Sequence, residues 1–305
     1  MTSQRPFFSV IVPTYLRPAE LPGCLDALAR QQFPTDSFEV IVVDDGGSSP
    51  PGGTVQEFQN RLAVSLVTAG HGGPAAARNQ GVQRARGRFF AFTDDDCRPA
   101  AEWLSTLAKR FATLPDHLIG GRTINALAQN PYAATSQVIL DVVYRRFNGA
   151  EPGEAQFLAS NNLALAADTF RAIGGFDSSF PTSEDRELCD RWLRNGHRIT
   201  YAPEAVVFHA HPLNLRRFWW QHFGYGCGAW RFHRLRERHG HGRFRPDLSF
   251  YRQLAMAPFA QERRLRTPAI AALVVISQVA NTAGFFYQSR RRKPDPDQPD
   301  PIKER

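Results

Sequence analysis

The chain is poor in cysteine. Four are present in 305 residues, Cys24, Cys97, Cys189 and Cys227, far apart and with no CxxC pair. That spacing argues against a zinc site or a disulfide framework and fits a reducing cytosol. A glycine-rich phosphate loop is also missing after the first apolar run, where Pro13-Thr14-Tyr15-Leu16-Arg17 stands instead. A nucleotidyltransferase would normally place glycines and a cation there. There is no internal repeat. The N-terminal residues lead directly into a strand-like segment, so no signal peptide is expected. An unambiguous membrane span is lacking as well. Ala269 to Tyr287 is uncharged but is broken by Ser277, Gln278, Asn281 and Thr282, and a spanning helix needs roughly 20 apolar residues.

What is present is an ordinary globular composition, 42% hydrophobic and 22% charged, with a net charge of +8 and a pI near 9.7. A basic excess suits nucleic acid, anionic lipid or a phosphorylated substrate. Its distribution favours the last two. Arg216 to Arg266 is dense in Arg and His, and Arg290-Arg291-Arg292-Lys293 is a compact block. Trp219, Trp220, Phe223, Tyr225, Trp230 and Phe232 interleave with Arg216, Arg217, Arg231, Arg234, Arg236 and Arg238. Stacking on single-stranded nucleic acid would use such residues, and so would a membrane interface. The uncharged run Ala269 to Tyr287, with arginines on both sides (Arg263, Arg264 and Arg266, then Arg290 to Lys293), decides for an anionic membrane surface and against nucleic acid. The run reads as a helix lying in the interface, with a buried core helix as the alternative. Residues 294–305 are rich in Pro and Asp and are expected to be disordered.

Along the first 212 residues, apolar β-rich runs alternate with helical patterns. Strands are expected at Phe7 to Val12, Phe38 to Val43, Ala63 to Val67 and Arg88 to Phe92. Helices are expected at Ala19 to Gln32, Thr54 to Arg61 and Ala75 to Arg84. This is the pattern of an α/β doubly wound, mainly parallel sheet. Further on, helices are expected at Ala101 to Leu114, Gln137 to Phe147, Ala167 to Ile173 and Glu184 to Asn195. Phe157 to Leu165 reads as a strand interrupted by polar residues, and Ala205 to Phe208 as a strand ending at His209. The expected division is residues 1–212, a basic aromatic-rich helical region 213–293, and the tail.

The most informative stretch is Asp94-Asp95-Asp96, directly after the apolar run ending at Phe92. Three adjacent carboxylates repel and call for solvent or a cation. Oxygen ligands suit Mg2+ or Mn2+, and Mg2+ is usually held by one or two carboxylates plus substrate phosphates. Strand C-termini in open α/β sheets are where ligands bind. An acidic turn or a helix N-cap would use the same residues. A second acidic pair, Asp44-Asp45, precedes Gly46; a tight turn needs one acid and here there are two. A third, Glu184-Asp185, opens a helix. Adjacent helical residues diverge by about 100°, so one of the two can enter a site. Ser183-Glu184-Asp185 also fits an N-cap with an acidic first turn, whose dipole would lower a carboxylate pKa.

In this order, Pro13 to Arg17, Val42-Val43-Asp44-Asp45-Gly46, the Asp triplet and Glu184-Asp185, the chain resembles a family 2 glycosyltransferase of the GT-A fold over roughly Phe7 to Pro212. The resemblance implies a nucleotide-sugar donor (UDP-, GDP- or dTDP-sugar) and Mn2+ or Mg2+. Pro13, Thr14, Tyr15, Arg17, Asp44 and Asp45 would take the base and ribose, with Asp45 accepting from the base. Arg78 and Asn79 would meet phosphate or ribose oxygens. Asp94 and Asp96 match the outer positions of the DxD, Asp96 being the expected direct metal ligand, with Asp95 contributing on the nucleotide side. His209 would complete the metal site; His211, two residues on, points the same way if extended and could serve equally. Asp185 would be the base and Glu184 would orient or cap. Ser160, Asn161 and Asn162 would lie on the acceptor side. Trp192 could stack on a sugar face, but on an apolar helix face it fits core packing better. One carboxylate base with no second nucleophile implies an inverting displacement. A lipid-linked or cell-surface glycan precursor is the expected acceptor, in cell-envelope polysaccharide biosynthesis. The expected location is peripheral, on the cytoplasmic face of the inner membrane. The alternatives are a nucleotidyltransferase of related topology or an inactive nucleotide- or glycan-binding scaffold.

Overall fold

The structure is a computed structural model that describes residues 5–240, 245–260 and 267–291. The tail 294–305 and the basic residues Arg263, Arg264, Arg266, Arg292 and Lys293 lie outside the described residues. The chain forms two compact units: residues 1–126, 147–179 and 185–210, and residues 127–146, 180–184 and 211–305.

The first unit is built on one eight-stranded sheet. Its strands are β1 (Phe8–Thr14), β2 (Phe38–Asp44), β3 (Val64–Thr68), β4 (Phe89–Phe92), β5 (Cys97–Pro99), β6 (Leu118–Asn125), β7 (Leu163–Ala166) and β8 (Ile199–His209). The order across the sheet is β3-β2-β1-β4-β7-β6-β8-β5. β1 pairs in parallel with β2 and β4, β2 with β3, and β6 with β8; β7 runs antiparallel to β4 and β6, and β5 antiparallel to β8. Helices α1 (Leu21–Ala29), α2 (Gly52–Phe58), α3 (Pro74–Arg84), α4 (Trp103–Thr113), α6 (Ala167–Ala172) and α7 (Glu184–Arg194) accompany it. Every residue of β2 is buried, as a continuous apolar run in a doubly covered parallel strand should be. The core includes Phe8, Val10, Leu25, Phe89, Trp103 and Phe111, with Phe89 and Phe111 stacked at 4.0 Å.

Three expectations need correction here. β6 forms over Leu118–Asn125, where Ile119-Gly120-Gly121-Arg122 is expected to begin a less regular part. β8 starts at Ile199, six residues ahead of the expected Ala205. Phe157 to Leu165 is not one strand: Ser160–Asn162 is a 3-10 turn and only then does β7 begin.

The second unit contains α5 (Pro131–Phe147), α8 (Leu215–Arg238), α9 (Leu248–Met256) and α10 (Thr267–Arg290). α8 and α10 approach so closely that a Cβ at Gly226 would lie 1.9 Å from the Asn281 carbonyl oxygen, and one at Gly284 2.0 Å from that of Phe223. Only glycine fits at either point. Val138, Val142, Leu254, Ala257, Ile270 and Val274 close a small apolar core. α10 is long and apolar enough to cross a membrane, and 33% of its apolar window is buried within the protein.

Candidate active site

The parallel register sets the geometry. Thr14, the last residue of β1, lies opposite Asp44, the last of β2, and Ile11 lies opposite Phe92, the last of β4. The loops after these three strands therefore open at one sheet edge, bringing Pro13 to Arg17, Asp44-Asp45 and the Asp triplet together.

The triplet is neutralised from within the chain. Asp95 accepts from Thr14 Oγ1 at 2.7 Å and Arg17 Nη1 at 3.3 Å. Asp96 accepts from the same Arg17 nitrogen at 2.9 Å and lies 3.1 Å from His209 Nε2. Asp94 accepts from Arg78 Nη2 at 2.6 Å. Burial pushes the Asp95 carboxyl up to about 7; Arg17 and Thr14 oppose the shift, and the charges of Asp96 and Asp94 add to it. His209 is pulled down by burial, but its hydrogen bond to Asp96 and that residue's charge outweigh this and hold it above the ordinary imidazole range.

One carboxylate and two imidazoles could hold a cation here. The ligand atoms of Asp96, His209 and His211 lie within 4.8 Å of one another. His211 thus joins His209, two residues away on the same segment. Asp94, expected to share the metal, is turned to Arg78.

Asp44 and Asp45 divide their roles. Asp44 Oδ1 accepts from the Gly47 amide at 3.2 Å and so closes the turn. Asp45 Oδ1 accepts from Gly72 N at 2.8 Å and Oδ2 from Gly73 N at 2.9 Å. These bonds clamp the loop that starts α3, where Gly73 has φ of 85°, a conformation that favours glycine. His71 Nδ1 lies 2.9 Å from Asp45 Oδ2, and its ring stacks on Tyr15 with centroids 4.3 Å apart. His71 was missed in the sequence. Its signal was a lone aromatic ring among glycines, in Gly70-His71-Gly72-Gly73.

Asp185 lies in the first turn of α7. Its carboxylate accepts from Arg186 N at 2.8 Å and from Ser160 N at 3.4 Å. Burial raises its pKa against those two bonds and the positive charge of Arg78, while Asp94 raises it further. The expected lowering by the helix start is overruled by desolvation. Ser183 is no ordinary N-cap either, since its φ of 66° differs from the extended backbone of that position. Such strain costs about 1–3 kcal/mol and clusters at active sites. Glu184 is buried.

Two expected ligands are structural amides. Asn79 donates to Phe176 O at 2.8 Å and accepts from Phe176 N at 2.9 Å, so its side chain is committed to the neighbouring turn and not to a nucleotide. Asn162 is fully buried; it accepts from Trp103 Nε1 and donates to the carbonyls of Arg122 and Ala205, which leaves nothing for an acceptor. Asn161 accepts from Thr123 Oγ1 at 3.2 Å. Trp192 is buried and donates to Arg198 O, as core packing requires.

The sequence model described as glycosyl transferase family 2 matches residues 9–174. The chain belongs to glycosyl transferase family 2. Relatives within reach of the family pattern include glycosyltransferase AglE of Haloferax volcanii, 27% identical over 212 residues, which are 68% of this chain and 68% of AglE. The pre-mycofactocin glycosyltransferase of Mycobacterium tuberculosis is 31% identical over 184 residues, 59% of this chain and 39% of that protein; the match spans about two fifths of its length. The sheet and its flanking helices are those of the GT-A fold. The mannosyltransferase PcManGT from Pyrobaculum calidifontis, in complex with GDP-Man and Mn2+, aligns with TM-score 0.62 at 20% identity over 92% of this chain and 76% of that one. S. aureus TarS 1-349 in complex with UDP-GlcNAc aligns with TM-score 0.55 at 18% identity over 90% and 72% of the two chains.

Proposed function

We propose that this glycosyltransferase moves a sugar from a nucleoside-diphosphate donor to a hydroxyl acceptor by a single inverting displacement, with Asp185 as base. The observation that supports this reading is the parallel register of β1, β2 and β4, which gathers Pro13 to Arg17, Asp44-Asp45 and the Asp triplet at one sheet edge. Burial raises the Asp185 carboxyl. In this reading Asp185 faces the donor-side acids across the sugar. A raised pKa improves a carboxylate as proton acceptor near neutral pH. Glu184 orients or caps the start of the helix.

The base and ribose lie along Pro13 to Arg17 and Asp45, which favours bases that present a ring N–H, as uracil, thymine and guanine do. Arg17 and Arg78, each now paired with triplet acids, are the cations within reach of a diphosphate. Asp96, His209 and His211 would hold a divalent cation; mixed oxygen and imidazole ligands suit Mn2+. When bound, the ion acts as a Lewis acid that neutralises charge on the departing diphosphate. Ser160 and Asn161 border the acceptor side.

The second unit supports a peripheral location on an anionic, cytoplasm-facing membrane surface, with a lipid-linked or cell-surface glycan precursor as acceptor. Val275, Val279 and Phe286 expose an apolar seam along α10, and Leu248, Tyr251, Met256 and Phe259 are exposed in and after α9. Arg252 and Arg290 are exposed beside them. Apolar residues with basic neighbours are the composition of an interfacial helix. The reading is tested by a screen of UDP-, GDP- and dTDP-sugars for donor hydrolysis with and without Mn2+. Metal-dependent release of one nucleoside diphosphate is the expected result; no turnover of any donor would contradict it.

A further inference from the structure

The nucleotide site proposed above is filled by a side chain of the protein itself. We infer that the His71 imidazole is a self-ligand in the seat of the donor's base, and that the base enters by displacing it. This rests on the donor reading of Tyr15 and Asp45.

Two contacts define the seat. Tyr15 offers a ring face, and His71 lies on it at 4.3 Å with the planes 22° apart. Asp45 offers a carboxylate oxygen 2.9 Å from His71 Nδ1, while the hydrogen bond of that nitrogen runs to the Asp45 backbone carbonyl at 3.1 Å. A flat ring that stacks on one side and donates a ring N–H to a carboxylate is a description of uracil, thymine or guanine. Cytosine and adenine carry no such ring N–H on that edge. The imidazole therefore takes the ring face of Tyr15 and the space beside the Asp45 carboxylate that such a base would need.

The loop is built to let His71 leave. Gly70 and Gly72 flank it, and its side chain is 30% exposed, against 6% for Asp45. Its departure removes a hydrogen bond to the Asp45 carbonyl and a neighbour of the carboxylate. The two donors to that carboxylate, Gly72 N and Gly73 N at 2.8 and 2.9 Å, are backbone amides and continue to hold the loop and the start of α3. The seat is thus preformed, and His71 sets an occupancy that a donor must overcome. Apparent affinity falls in proportion to the fraction of molecules with an open seat, so a seat filled nine-tenths of the time weakens donor binding about tenfold.

The test is calorimetric titration of the full chain and of His71→Ala with UDP and GDP in Mg2+, with CDP and ADP as controls. The expected result is binding of UDP or GDP about 3- to 10-fold tighter to His71→Ala, with no comparable gain for CDP or ADP. Equal or weaker binding by the variant would overturn the inference; weaker binding would make His71 a contact of the bound nucleotide. If neither protein binds any of the four, nor dTDP, the donor reading fails and the inference falls with it. Should the variant not fold, the His71 ring resonances of the unmodified protein decide. They must leave their stacked position as the nucleotide saturates, and ring signals unmoved at saturation would overturn the proposal.

Discussion

The Arg78 guanidinium donates to Asp94 at 2.6 Å, and its charge also reaches Asp185. The arginine side chain is 3% exposed and the aspartate 28%. One buried cation thus bears on two acids from separate elements.

Removing that cation should cost stability. Arg78→Met leaves Asp94 without its partner, and breaking a buried pair from one side costs about 3–5 kcal/mol. Arg78→Lys keeps the charge and should lose less. Urea unfolding of both variants checks this. A variant without the cation that is as stable as the parent would show that Asp94 needs no partner.

The metal group gives a second prediction. Asp96→Ala should abolish Mn2+ binding and donor turnover. Without ligands its melting temperature should fall, because Arg17 and His209 lose the buried acid they pair with. Mn2+ titration by paramagnetic relaxation, with a parallel thermal melt, separates the two effects. Undiminished Mn2+ affinity would remove Asp96 from the metal site.

Stability should depend on pH with a definite sign. Asp95 titrates near 7 in the folded protein against an ordinary 3.8, and Asp185 and His209 are also raised. In each case the folded state holds its proton more tightly than the unfolded chain. For Asp95 the stabilisation is complete below about 3.8 and is lost as pH rises through about 7. Ligand-free protein should therefore melt at progressively lower temperature from pH 5.5 to 8.5, and Asp95→Asn should flatten that decline. A melting temperature that climbs across this range would contradict the assignment.

The apolar seam of α10 predicts membrane binding. The full chain should sediment with anionic vesicles at low salt and be partly released at high salt, since each basic residue near the surface contributes about 1 kcal/mol. Val279→Asp, at a position 53% exposed, should weaken sedimentation without unfolding the helix pair. Full-length protein remaining in the supernatant would leave α10 as a partner of α8 alone.

The parts legible in the sequence were those whose signal is local. β1, β2 and β4 are continuous apolar runs, and the acids at their ends announce the site edge. β6 escaped because Gly120-Gly121 reads as a break. In the fold a Cβ at Gly120 would lie 2.6 Å from the Asn162 carbonyl oxygen, a constraint set by a distant residue. The start of β8 was hidden by Pro203 within the strand. α5 begins six residues before the expected Gln137, although its signal was present: Asn130 Oδ1 accepts from Tyr132 N and Ala133 N, with Pro131 leading the helix. Within the site, acid positions were readable but their partners were not. That Arg17 bridges Asp95 and Asp96, that Asn79 and Asn162 are structural, and that His71 lies on Tyr15 all depend on residues brought together across the sheet.

The central claim is that Asp185 is the base. The most direct test is donor turnover by Asp185→Asn at saturating donor, measured together with its affinity for the nucleoside diphosphate. The substitution is nearly isosteric and removes the proton acceptor. The account predicts that kcat falls by roughly 10²-fold or more while nucleotide affinity stays within a factor of about two. An unchanged kcat, or a collapse of nucleotide binding with kcat preserved, would contradict it and make Asp185 a donor ligand or a helix cap.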